Sequence, residues 1–259
     1  MKELVLVTGA SSGIGYQMAK ELAAANMDLV LVARRVDRLE KLRDELESAH
    51  SVKVWVIQKD LSDVKNVYSL YDILKSQNLR VTGLINNAGF GNYGEFSDTP
   101  LEEDLAMIQV NISALVALNK IFLKDMKAAN YGRMMNVASL LSFLPFPYYA
   151  VYSATKAFVL AFSETIAAEL EGSGITVTTL CPGPVDTGFN TSEMLKTNAY
   201  KTNKPIDAKV VAVAGVKLFL HGKGKKIVGF NNWFISNLPR ITPDFIMMKI
   251  KKKLASQAK

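Results

Sequence analysis

The chain runs to 259 residues, 49% of them apolar and 21% charged, with one cysteine, two histidines and a formal net charge of +7. That length is ample for a sizeable core; no uninterrupted apolar run reaches the roughly 18 residues of a membrane span, and no basic-then-apolar leader pattern opens the sequence, so neither span nor leader is expected. Cys181 alone excludes an internal disulfide and a cysteine-cluster metal site, and His50 and His221 stand apart, so a reducing cytoplasm and no metal are expected.

In chain order, the β-branched runs LVLVT, DLVLVA, VKVWVIQ, GLINNA, YGRMMNVAS, GITVTTLCP and KKIVGF alternate with segments of 3.6-residue apolar spacing. The spacing predicts helices over 13–25, 37–49, 63–77, 101–129, 150–172 and 207–221, several with Asp, Ser or Thr at their starts and Gly172 or Gly222 after their ends. Such alternation, with right-handed crossovers, implies an α/β fold: a three-layer, doubly wound, mostly parallel sheet with helices on both faces and its ligand crevice at the carboxyl ends of the strands. No repeat or linker interrupts the pattern before about residue 188, so a single domain over 1–259 is expected.

Behind the first strand, TGASSGIG places Gly9, Gly13 and Gly15 where a sharp turn, a close ligand approach and tight helix packing would each need glycine. The spacing is not G-x-G-x-x-G, and by itself it permits either a turn or a phosphate cradle at a helix N-terminus. Four further motifs follow in order: NNAG at Asn86–Gly89, Ser139 after the fifth strand, YSATK at Tyr152–Lys156, and PGPVDT at Pro182–Thr187. Together the five resemble the short-chain dehydrogenase/reductase family, single-domain oxidoreductases with a Rossmann-like sheet, motif by motif over about residues 1–187.

The resemblance implies that Gly9, Ser11, Ser12, Gly13, Ile14 and Gly15 hold a cofactor's pyrophosphate and adenosine ribose. It implies that Asp60 and Leu61 contact its adenine, and that Asn87, Ala88 and Gly89 flank the adenine-side ribose. NNAG also suits a tight strand-to-loop turn, and the two readings are compatible. At the end of the second strand stand Arg34 and Arg35 with no carboxylate. An acidic residue there usually holds the ribose of NAD(H), whereas a guanidinium grips a 2′-phosphate with two parallel hydrogen bonds, so NADP(H) is expected over NAD(H).

Tyr152 and Lys156, four apart on a helix, share a face. A nearby ammonium favours a phenolate, so Lys156 is expected to lower the Tyr152 pKa and make it a proton donor to a carbonyl oxygen, with Ser139 bonding that oxygen as charge develops. By resemblance, Lys156 also holds the nicotinamide ribose. Asn111, in QVNIS, would kink its helix and link Lys156 to solvent through water, while Pro182, Gly183, Val185 and Thr187 would bind the carboxamide. Cys181 reads as a small buried hydrophobe. Expected pocket walls are Phe90, Tyr93, Leu140, Phe143, Phe146, Tyr148 and Tyr149, with Phe189, Met194, Leu195 and Tyr200 from a substrate lid over about 188–205, an apolar lining suited to a hydrophobic carbonyl compound.

Charge is lopsided: residues 201–259 carry 13 Lys and Arg against Asp207 and Asp244, net +11, leaving −4 for the rest. This permits an anionic partner, but no nucleic-acid module accompanies it and none is expected. The basic, amphipathic segment over about 240–259 is read as a packing or oligomer element of a homodimer or homotetramer, ahead of peripheral membrane contact. The leading reading is NADPH-dependent reduction of a hydrophobic ketone or aldehyde. Its rivals are a 3-oxoacyl-acyl-carrier-protein reductase, which needs basic residues beside the pocket, and a non-catalytic NADP-binding sensor or scaffold.

Overall fold

The computed structural model describes residues 2–257. Its main sheet contains β1 (Leu4–Thr8), β2 (Asp28–Ala33), β3 (Val54–Gln58), β4 (Gly83–Asn86), β5 (Gly132–Val137), β6 (Ile175–Cys181) and β9 (Gly224–Ile227); β7 (Val185–Asp186) and β8 (Ile206–Asp207) pair separately. The order is β3-β2-β1-β4-β5-β6-β9, and every pair is parallel. Every residue of β1 is buried, because a central parallel strand is covered on both faces and reads as a continuous apolar run.

The helices are α1 (Gly13–Ala24), α2 (Val36–Ala49), α3 (Val64–Ser76), α4 (Leu101–Ile108), α5 (Leu115–Ala129), α6 (Ala150–Glu169), α7 (Ser192–Leu195), α8 (Asn198–Thr202), α9 (Ala208–His221), α10 (Phe230–Asn237) and α11 (Asp244–Ala255). Side chains alternate across the strands, so Val5 and Val7 meet α1, α2 and α9 through Met18, Leu39 and Val211. On the opposite face Leu4 and Leu6 join Leu70 and Leu74 of α3 and Leu118 and Phe122 of α5.

The span 101–129 is continuous but not uniformly α-helical, because Gln109–Ala114 forms a π segment between α4 and α5. By length and composition this helix would suffice to cross a membrane. Its Ala114, Leu118, Phe122 and Met126 stripe nevertheless lies in the core, and Asn111 and Asn119 are buried with it, as befits a core helix.

Strand order reverses between β1 and β4, which opens a crevice at their carboxyl ends. A smaller lobe stands over that crevice. There Leu144 and Phe146 pack with Met247 and Ala255 of α11, and Ala199, Ile235 and Leu238 close around them. The backbone N–H of Asn198 donates to the Ser256 carbonyl at 3.0 Å, and the Tyr93 hydroxyl donates to the Ala255 carbonyl at 2.8 Å. The basic segment over 240–257 is thus bound into the lobe as a packing element; the last two residues of the expected segment lie outside the described residues. α10, which follows the KKIVGF strand, had no counterpart among the expected helices.

Candidate active site

The turn after β1 carries the backbone that its glycines require: φ is 67° at Gly9 and 57° at Gly13, in the left-handed region. Its position is fixed from the β4 side. The Thr8 hydroxyl oxygen accepts the backbone N–H groups of Asn87 and Ala88, both at 3.0 Å, and the Asn87 side-chain amide donates back to the Thr8 carbonyl at 3.0 Å. The turn feeds α1, whose N-cap residue Ser12 makes no side-chain cap bond, so the first N–H groups of the helix remain available to an anion.

Arg35 crosses from the end of β2 to this turn. Its guanidinium donates to the Ser12 hydroxyl at 2.8 Å and to the Ser11 hydroxyl at 3.0 Å. Arg34 lies instead near Asp60, whose carboxyl is held below its ordinary value first by the Ser62 backbone N–H and only lastly by Arg34. Leu61 beside Asp60 is buried. Of the two arginines read as a pair in the sequence, only Arg35 grips the glycine turn.

Apart from Thr8, these residues line one cavity of about 910 Å³ together with Ser139, Tyr152, Lys156, Pro182, Gly183, Val185 and Thr187, the last lying close to Gly13 of the turn; Gly15 does not reach the cavity. Ser139 caps a short turn over Leu140–Ser142, its hydroxyl accepting the Leu141 N–H at 3.1 Å. Ser142 donates its hydroxyl to the Lys156 carbonyl at 2.7 Å, tying this turn to α6. Lys156 Nζ donates to the Val137 carbonyl at 2.9 Å and sits 5.9 Å from the centre of the Tyr152 ring.

The expected downward shift of the Tyr152 phenol is not found. Burial pushes it up to about 12, with the Ser139 hydroxyl opposing that rise. Burial also draws Lys156 down to about 8, and its ammonium is directed at Val137, so desolvation outweighs the attraction expected from spacing alone. Cys181 is fully buried with its thiol pushed up to about 12, in keeping with a packing role.

Asn111 falls inside the π segment, where the α-helical hydrogen-bond pattern between α4 and α5 is interrupted. Its side chain grips Phe90 from both sides, accepting the Phe90 N–H at 3.2 Å and donating to the Phe90 carbonyl at 3.0 Å, and it also donates to the Thr155 hydroxyl at 3.1 Å. It therefore fixes the loop after NNAG against α6. Gly183 is pressed against the buried Asn232 side chain, which in turn accepts from Asn203 at 2.7 Å.

Among the expected pocket walls, Phe90, Leu140, Phe146, Tyr149, Phe189, Met194 and Tyr200 line the cavity. Four do not. Tyr93 packs its ring on Tyr148 and Tyr149, Tyr148 occupies a left-handed turn, Phe143 joins Val159 and Leu160 in a separate cluster, and Leu195 points to solvent. Their places are taken by Leu144, Asn190, Thr197, Phe234, Ile235 and Leu254.

A second set of residues was given no role by motif reading, although its Asn86 opens the NNAG motif. Asn136 of β5 accepts from Asn86 at 2.9 Å and from Asn119 at 3.0 Å, and donates to Ser163 at 2.9 Å, all of them buried. This network locks β4, β5, α5 and α6 beneath the site. The signal lay in asparagines within otherwise apolar strands, GLINN and MMNV, where an unpaired amide would be costly.

A doubly wound parallel sheet with an anion-ready glycine turn at the reversal of strand order, and a tyrosine, lysine and serine across the same cavity, defines a nicotinamide-nucleotide-dependent oxidoreductase acting on carbonyl or alcohol groups. The family model for short chain dehydrogenases matches residues 3–198, and the chain belongs to that family. The sequence is 33% identical over 219 residues to sulfoacetaldehyde reductase 2 of Chromohalobacter salexigens, covering 82% of this chain and 86% of that protein. It is 31% identical over 260 residues to very-long-chain 3-oxoacyl-CoA reductase of Anas platyrhynchos, covering 97% and 81%. Among solved structures, a short-chain dehydrogenase from Sphingobium yanoikuyae in complex with NADPH superposes with a TM-score of 0.79 at 28% identity, covering 99% of this chain and 98% of that one.

Proposed function

We propose that the protein reduces an uncharged, hydrophobic ketone or aldehyde with NADPH, Tyr152 giving the proton to the carbonyl oxygen. The observation that carries this reading is the polarity of the cavity: Arg35, Ser11 and Ser12 form one polar cluster, while Leu140, Leu144, Phe146, Phe189, Met194 and Leu254 line the same cavity as Tyr152, Phe189 packing on its ring.

The residues present fit the cofactor, since the glycine turn offers backbone N–H groups to a pyrophosphate and the two serines with Arg35 offer donors to a 2′-phosphate. Bound there, a reduced nicotinamide supplies the hydride. Ser139 and Tyr152 orient the carbonyl oxygen, Tyr152 holds the proton that oxygen will receive, and Lys156 provides positive charge beneath the phenol. Phe189, 5.6 Å from the Tyr152 ring between centroids, covers one side of the phenol.

The sulfoacetaldehyde named for the bacterial relative carries a negative charge. Among the described residues, Lys156 is the only cation lining the substrate end, so an anionic aldehyde would be desolvated without a dedicated partner. A second reading, reduction of a 3-oxoacyl thioester, draws support from the lysines of α11, whose Leu254 lines the cavity. Consumption of NADPH and NADH with ketones, aldehydes, sulfonated aldehydes and acyl thioesters decides among these. Faster turnover of the sulfonated aldehydes, or equal use of NADH, overturns the proposal.

Arg35→Ala is expected to raise the Kd for NADPH about 10- to 100-fold, the worth of a charge-assisted contact of about 1.5–3 kcal/mol, with little change for NADH. Titration of both cofactors checks this, and equal weakening would reassign Arg35 to the turn's architecture.

Reduction requires the Tyr152 proton and the Lys156 charge together. Tyr152, at about 12, stays protonated through the working range, whereas Lys156 loses its proton as pH rises through about 8. The kcat/KM for reduction is therefore expected to be level below about pH 8 and to fall above it. Lys156→Arg, which cannot lose its charge there, should lack that falling limb; persistence of the limb would assign it elsewhere.

A further inference from the structure

We propose that the outward faces of α10 and α11 form a docking surface for an anionic lipid bilayer beside the mouth of the substrate cavity. The inward faces of this region are satisfied, with Ile235, Leu238, Met247 and Leu254 in the small core of the lobe. Facing outward at helical spacing are Phe230, Trp233 and Phe234 on α10, and Phe245 and Met248 on α11. Phe230 is 77% exposed, Trp233 52% and Phe245 68%. The Phe230 and Trp233 rings stack on each other, 5.9 Å between centroids, and both remain more than half exposed. Large apolar side chains gathered in this way mark an interaction surface.

The same segment carries Arg240, Lys249, Lys251, Lys252 and Lys253, and among the described residues none of them has a carboxylate within 4.0 Å. Aromatic and aliphatic groups that insert at the acyl boundary, next to lysines that meet headgroups, match the chemistry of an anionic membrane surface. A second copy of the chain fits less well. A two-fold contact sets a patch against itself, and here that would bring two lysine clusters together. An acidic carrier protein would answer the lysines but leave the aromatic rings unmatched.

Phe234 links this face to the chemistry, since it is 54% exposed and also lines the cavity beside Leu254. A hydrophobic carbonyl compound dissolved in the bilayer would enter the cavity without crossing water. That last step rests on the proposed function, whereas the docking itself does not, and vesicle binding is measured without turnover.

Flotation of the full chain with phosphatidylcholine vesicles, with and without phosphatidylglycerol, tests the proposal. The parent should float with the anionic vesicles, and brominated acyl chains should quench Trp233. Charge reversal by Lys249→Glu, Lys252→Glu and Lys253→Glu together should lower vesicle affinity at least about ten-fold, as headgroup attraction summed over several lysines predicts. Trp233→Ser with Phe245→Ser should do likewise. Neither set lines the cavity, so reduction of a water-soluble carbonyl compound reports that both still fold, and Trp233→Phe should float while losing the quench. A parent that stays at the bottom with anionic vesicles, or variants that float as it does, overturns the proposal. Sedimentation velocity separates the other occupants: a dimer dissolved by Trp233→Ser with Phe245→Ser, with no flotation of the parent, assigns the face to a second copy. Loss only of acyl-carrier turnover in the lysine variant, with no flotation, assigns it to an acidic carrier.

Discussion

Tyr152→Phe is expected to lower kcat for carbonyl reduction by about 10²–10⁴-fold while leaving the Kd for NADPH within about two-fold, the range expected when a positioned proton donor is removed. The reason lies in where the phenol sits. Its ring is buried and packs on Phe189 from the lid side, and Gly91 approaches the ring so closely that a β-carbon there would collide with it. Phenylalanine fills the same space, so the fold and the lid contact survive and only the proton is lost. Because burial holds the phenol at about 12, it is protonated at every pH where the enzyme is assayed, and the loss should not be recovered by acidification. Stopped-flow measurement of the hydride step, with NADPH titrated separately, checks both halves. Unchanged turnover would remove Tyr152 from the chemistry, and a large rise in Kd would make it a binding residue instead.

The parallel sheet was legible because β-branched and apolar runs such as LVLVT and DLVLVA alternate with helical spacing, and the helix at 150–172 was legible from its apolar spacing, although it ends at Glu169. The glycine turn was legible through its order relative to the other motifs, and the structure adds why: Thr8 and Asn87 stitch two of those motifs together across β1 and β4. Four matters were not legible. Which arginine reaches the serines depends on the direction of the chain as it leaves β2 and enters α2, which adjacency in sequence does not encode. The direction of the Tyr152 shift depends on desolvation against charge, and spacing reports only the charge. Tyr93 and Tyr148 read as pocket walls because aromatics near motifs suggest a lining, yet with Tyr149 they form a half-buried aromatic cluster that buttresses the lobe. The 240–259 segment showed an apolar face and a charged face; that it has two apolar sides, one inward through Met247 and one outward through Phe245 and Met248, required the fold.

Gly15→Ala is expected to have an effect comparable in size on the cofactor side. A β-carbon at position 15 would lie 2.6 Å from the Gly9 carbonyl oxygen and would also strike the Asn87 side-chain amide. Neither neighbour is free to yield. Gly9 is held by its N–H donating to the Val32 carbonyl at 2.8 Å, and Asn87 by its bonds to Thr8. The first turn of α1 must therefore move away from β1 and β4, which displaces the N–H groups that would face a pyrophosphate and separates Ser12 from Arg35. Overpacking of this kind costs about 1–3 kcal/mol of stability, which for a chain of this size is a fall in Tm of several degrees. The Kd for NADPH should rise about 100-fold, equivalent to about 2.7 kcal/mol. Thermal unfolding with and without NADPH separates the two effects: the variant should unfold earlier alone, and added NADPH should restore less than it gives the parent. A variant with the parent's Kd would mean that the turn relaxes without moving the helix, and that the close approach of Gly15 to Gly9 and Asn87 serves packing and not the cofactor.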